Sequence, residues 1–186
     1  QPQWNTYFDN AGTGGGMGTG FTGTVPDGWY VGPNGANITG VCSIVAAAGG
    51  DINTIPWLRV QPTQVTRTGN QETVHIGVSL SERTITTSDP SVLELVYQVR
   101  LTNFDSDKMS TISSWVQANT GDSLCPNSDI RLGGGLLNTI FTMRTKMPRK
   151  TIVAATSAVL YTELVIAANG SGLTGTIDIR CFTIRG

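Results

Sequence analysis

The sequence predicts an all-β chain folded as a two-sheet antiparallel sandwich, with a jelly roll as the expected topology. Three observations carry this. Apolar and polar residues alternate with period two through most of the chain, the pattern of strands with one buried face. Clusters of Gly, Asn, Asp, Ser and Pro separate these runs at short, regular spacing. No segment carries a helical hydrophobic stripe of ten or more residues. Eight or more strands with turns so placed need two packed sheets to bury their apolar faces.

In chain order, residues 1 to about 24 read as a Gly/Thr-rich lead-in arm, and 25–186 as one sandwich domain. Ten of the 23 glycines precede residue 36. These glycines form no phosphate loop, because no strand precedes them and no helix follows. The arm is expected to pack on a partner chain or along the sandwich edge. Val25-Pro26-Asp27-Gly28 is a turn, and Trp29 after it is expected to plug the core. Strands follow at Ile38 to Val45 and Trp57 to Gln61. From Glu72 to Leu80, Val74, Ile76, Val78 and Leu80 are expected to point inward. From Val92 to Leu101, Leu93, Leu95, Tyr97, Val99 and Leu101 share a face, while Glu94, Gln98 and Arg100 project from the other. Further strands are expected at Ile112 to Ala118, Ser157 to Ile166, and Gly175 to Ile184, the last with Ile177, Ile179 and Cys181 on one side. Asn169-Gly170-Ser171-Gly172 lies between two of these and reads as a hairpin connection.

Only 13% of the 186 residues are charged and the net charge is -1, about half the charged share of an ordinary soluble domain. Thr, Ser, Asn and Gly supply the polarity, a composition that suits surfaces buried against other subunits. With no basic stripe in the linear sequence, a nucleic-acid partner is set aside. A membrane is set aside too, since the longest apolar runs are strand-sized. The first twenty residues have neither the basic region nor the hydrophobic core of a secretory leader. Cys42, Cys125 and Cys181 show no metal-ligand spacing. Cys42 and Cys181 fall in strands as small buried hydrophobes. Cys125, beside Pro126 in a loop, is the candidate for an intersubunit disulfide.

The run Ala11-Gly12-Thr13-Gly14-Gly15-Gly16-Met17-Gly18-Thr19-Gly20, continuing through Phe21-Thr22-Gly23-Thr24-Val25-Pro26-Asp27-Gly28-Trp29, resembles a module of bacteriophage and prophage virion proteins. That module is a carbohydrate-binding-module-like β-sandwich, also found attached to SGNH/GDSL-type hydrolases. Val41-Cys42-Ser43-Ile44-Val45-Ala46-Ala47, Leu95-Val96-Tyr97-Gln98-Val99-Arg100-Leu101 and Thr176-Ile177-Asp178-Ile179 fit the same pattern. The resemblance implies a non-enzymatic virion protein (a capsid decoration, head fibre or tail-associated jelly roll). Its partners would be itself, as a homotrimer, and other virion proteins. The alternative is a module that recognises host surface polysaccharide. In related sandwiches a structural calcium joins the first and last strands, which would put Asp9 and Asp178 at a metal site; no other cofactor is expected.

Candidate chemistry is sparse. Gly121-Asp122-Ser123-Leu124 spells the GDSL tetrapeptide, but the sole histidine, His75, lies upstream in an alternating strand. No imidazole follows Ser123 to act as base. His75 reads as a half-exposed sheet residue. Asp105-Ser106-Asp107 is either a solvated turn or an oxygen-rich calcium loop. Trp115 has polar face partners, Ser113 and Gln117, and is the best candidate for an exposed aromatic that stacks on a sugar. Gln98 and Arg100 would line a sheet face with it. Arg144, Lys146 and Arg149 belong to the one local basic cluster, which either grips an acidic partner or is a solvated loop before a strand at Thr151.

Overall fold

A computed structural model describes residues 4–6, 16–26, 29–34, 38–49, 56–66, 72–79, 92–103, 109–118, 128–131, 139–148, 158–166, 170–171 and 175–185. These residues form fourteen strands. They are β1 (Trp4–Thr6), β2 (Gly16–Met17), β3 (Phe21–Gly23), β4 (Trp29–Asn34), β5 (Ile38–Val45), β6 (Trp57–Val65) and β7 (Glu72–Ser79). After these come β8 (Val92–Thr102), β9 (Met109–Ala118), β10 (Ser128–Arg131), β11 (Ile140–Pro148), β12 (Ala158–Ile166), β13 (Gly170–Ser171) and β14 (Thr176–Arg185). The protein is all-β, built from two sheets.

The eight-stranded sheet runs β11-β8-β14-β6-β5-β3, with β1 also paired to β14 and β13 to β6. The six-stranded sheet runs β10-β9-β12-β7-β4-β2. Pairing is antiparallel except at two ends, where β2 lies parallel to β4 and β3 parallel to β5. The lead-in therefore contributes a short terminal strand to each sheet, and β1 joins the last strand through Trp4↔Ile184 and Thr6↔Phe182.

In the strands whose side chains are described, the alternation places one face in the core. Leu58, Val60, Tyr97, Val99, Leu101, Ile177 and Ile179 of the larger sheet are at most 2% exposed. Trp29, Val31, Val74 and Ile76 of the smaller sheet are buried too, Trp29 as expected after its turn. The phenol of Tyr97, a polar group in this apolar layer, donates to Met143 Sδ at 3.3 Å.

Two glycines allow β3 to dock. Gly23 has φ +107, and a Cβ there would strike the Cys42 carbonyl oxygen. The Phe21 ring covers Gly40, whose missing side chain makes room for it. Beside Gly40 the β5–β6 register shifts.

Two expectations are corrected. Residues 144–148 are no loop: they belong to β11, which pairs with β8 from Ile140↔Arg100 to Pro148↔Val92. A basic strand reads as a loop when judged by charge, yet its Ile140/Thr142/Arg144/Lys146 positions alternate against buried Met143. The hairpin expected between the last two long strands is not formed either. β12 and β14 lie in different sheets, and Gly170-Ser171 between them pairs with Val65 and Gln64 of β6.

Candidate functional site

Opposite the core, the larger sheet carries a polar face. Register fixes its layout, because cross-strand partners share a face. One row reads Ile140, Arg100, Asp178, Arg59, Ser43 across β11, β8, β14, β6 and β5. The next row reads Thr142, Gln98, Arg180, with Trp57 opposite Val45 at its far end. Beyond it on β8 and β11 lie Glu94 and Lys146, which are partners, and Arg144.

Asp178 is fully buried and clasped from both sides. Arg59 donates Nε to Oδ1 at 2.8 Å and Nη2 to Oδ2 at 3.0 Å. Arg100 donates Nε and Nη2 to Oδ2 at 3.0 and 2.7 Å. Four charge-assisted bonds on one carboxylate hold both guanidinium planes in place. The bond to Asp178 raises the Arg59 pKa above the ordinary guanidinium value against the opposing effect of burial. Arg59 thus stays charged at any working pH. The Arg59 and Arg100 side chains keep 32% and 20% of their surface exposed, while Asp178 keeps none.

Arg180 is 1% exposed. Its Nε donates to Gln98 Oε1 at 3.0 Å, and its guanidinium lies 3.9 Å from the centre of the Trp57 ring. Arg100 lies 4.5 Å from the same ring. A weakly hydrated guanidinium tolerates such burial when a π face and an amide oxygen replace water. Trp57 Nε1 and Thr176 Oγ1 are buried without a hydrogen-bond partner.

Of the sequence candidates, Gln98 and Arg100 come together here, and Arg144 and Lys146 lie on the neighbouring strand. Arg144 is half exposed and reaches Glu94 at 3.3 Å. Trp115 does not join them. It sits on β9 in the other sheet, paired with Tyr161, because β9 bonds to β10 and β12 and to no strand of the larger sheet. The reading that put Trp115 on one sheet face with Gln98 and Arg100 is corrected on that ground. Asp178 as a calcium ligand is also corrected, since two guanidiniums occupy its oxygens and would repel a divalent cation. Among the described residues no group of three or more His, Cys, Asp or Glu could hold a metal. Asp9, Asp105, Asp107, Ser123, Cys125 and Arg149 lie outside the described residues.

Sequence reasoning missed Arg59, Arg180 and Trp57 as members of this face. The available signal was the alternation itself: Trp57, Arg59 and Gln61, like Asp178 and Arg180, occupy the non-core phase of their strands.

No protein-family model matches the chain, and no curated protein sequence matches it. Solved structures do match. A structure of carbohydrate-binding modules from the β-sandwich superfamily is 11% identical, with a TM-score of 0.52, over 83% of this chain and 56% of that one. The Caldicellulosiruptor saccharolyticus module CBM27-1, solved in complex with mannohexaose, is 13% identical with a TM-score of 0.50, over 79% of this chain and 82% of that one. The enzymatically active domain of tailspike protein 4 from bacteriophage CBA120 is 12% identical with a TM-score of 0.49, over 85% of this chain. The chain spans 19% of the length of that tailspike and about half of the superfamily structure. At these identities the first two show a likeness of fold alone, a two-sheet β-sandwich.

Proposed function

We propose that the protein is a non-catalytic carbohydrate-binding sandwich that meets its glycan on the outward face of the eight-stranded sheet. The observation that carries this reading is the Arg59–Asp178–Arg100 row. Planar donors pinned by a buried carboxylate suit sugar hydroxyls and ring oxygens, and little rotamer entropy is lost when they engage a ligand. Ser43 extends the row with a hydroxyl, and Gln98 and Thr142 add an amide and a hydroxyl from the next row. The sandwich fold of carbohydrate-binding modules supports the reading. Its non-catalytic part rests on the sequence, where the sole histidine is misplaced to serve Ser123. Affinity electrophoresis on a panel of soluble polysaccharides tests it: retardation by at least one glycan, lost in Arg100→Gln and kept in Trp115→Ala, is the expected result. Retardation lost only in Trp115→Ala would move the site to the other sheet.

A second reading places the same sandwich in a bacteriophage virion as a homotrimeric decoration, fibre or tail component. The low charged share of 13% favours it, since subunit interfaces are depleted of charge. Light scattering tests it; a strict monomer at micromolar concentration would count heavily against it.

A further inference from the structure

We infer that the ligand of this face is an anionic polysaccharide, one bearing uronate carboxylates or sulfate esters; the inference rests on the carbohydrate reading above. Among the residues whose side chains the structure describes, the outward face of the larger sheet gathers Arg59, Arg100, Arg144, Lys146 and Arg180 against Glu94 and Asp178. Five cations against two anions leave an excess of three positive charges, on a chain whose net charge is -1.

The two signs also differ in accessibility. Asp178 is fully buried beneath its arginines and Glu94 is 18% exposed, while Arg59 and Arg100 keep part of their surface in water, Arg144 is half exposed and Arg180 is buried. A ligand approaching the face meets guanidiniums, and their forked donors match carboxylate and sulfate oxygens.

A nucleic acid is the competing polyanion. Binding a single strand relies on exposed aromatic rings for base stacking, and Trp57, the aromatic of this cluster, is fully buried beside its arginines. The face offers hydrogen-bonding forks, which favours a glycan.

Titration calorimetry with polygalacturonate, its methyl ester, dextran sulfate, neutral mannan and a single-stranded oligodeoxynucleotide tests the inference. Polygalacturonate, dextran sulfate or both should bind, and the two arms separate carboxylate from sulfate recognition. Affinity should fall about tenfold between about 50 and about 300 mM NaCl, the scale for roughly two charge contacts on a linear polyanion. Thr142→Glu with Lys146→Glu, exposed positions outside the Asp178 clasp, should weaken binding at least about tenfold while the thermal transition is kept. Equal, salt-independent binding of neutral mannan would overturn the anionic inference and leave the carbohydrate reading standing. Absence of binding in every glycan arm would overturn both. Tighter binding of the oligonucleotide than of either acidic glycan would overturn the choice of a glycan.

Discussion

Replacing Asp178 tests whether the polar face is a built structure or a loose set of surface charges. Asp178→Ala removes four hydrogen bonds, of 2.7 to 3.0 Å, and the only anion between Arg59 and Arg100 in their row. Breaking a fully buried ion pair costs about 3–5 kcal/mol, and an exposed pair about 0–1. The partners here are 32% and 20% exposed, so water can recover part of the lost solvation, and the expected cost is about 2–3 kcal/mol. For a domain of this length that is a fall of about 5–10 °C in Tm. Asp178→Asn sharpens the test. Its amide oxygen can accept from one arginine, but its NH2 group must then face donors of the other, so it should cost nearly as much as alanine. Urea unfolding of the three proteins at constant m value is the assay. If either variant lies within about 0.5 kcal/mol of the parent, the carboxylate does not organise this face.

The remaining predictions concern the core and its edges. Burial pushes the Cys42 thiol up from the ordinary 9.0 to about 11. The unfolded chain ionises first, so the stability Cys42 contributes is present below pH 9.0 and is lost as pH rises through about 11. Native Cys42 should resist a thiol reagent that labels it readily in urea; equal labelling rates would refute its burial. Gly23→Ala forces a Cβ into the Cys42 carbonyl at a positive φ and should cost about 1–3 kcal/mol. Its signature is faster hydrogen exchange at the Thr24 amide, which donates to Cys42 O at 3.0 Å. Leu101→Ala removes a fully buried side chain and should cost about 2–5 kcal/mol in urea unfolding. A change below about 1 kcal/mol would place Leu101 outside the core.

Several elements were legible in the sequence because period-two alternation is a local signal. Ile38–Val45 and the inward phase of Val74/Ile76, Tyr97/Val99/Leu101 and Ile177/Ile179 are found where the pattern puts them. The pattern fails at β11. There the polar phase carries Arg144 and Lys146, and charge density outweighs alternation when one segment is read alone. It fails again at Gly170-Ser171, where turn chemistry is the same whether the chain reverses within a sheet or crosses to the other. The candidate site was half legible. Alternation puts Gln98 and Arg100 on the polar side of β8, whereas the resemblance puts Asp178 at a metal site and nothing local links Arg59 and Arg180 to it.

What the sequence alone determined is the class of fold and the core face of β7, β8 and β14, since both follow from side-chain alternation along the backbone. The cationic face is another matter. Arg59, Arg100, Arg144 and Arg180 are scattered over more than a hundred positions, and the chain shows no basic stripe. Only the order β11-β8-β14-β6 brings them side by side, roughly 5 Å from strand to strand. That order depends on which sheet edges meet in space. It also decides that Asp178 neutralises two arginines instead of binding a cation, and that Trp115 belongs to the opposite sheet.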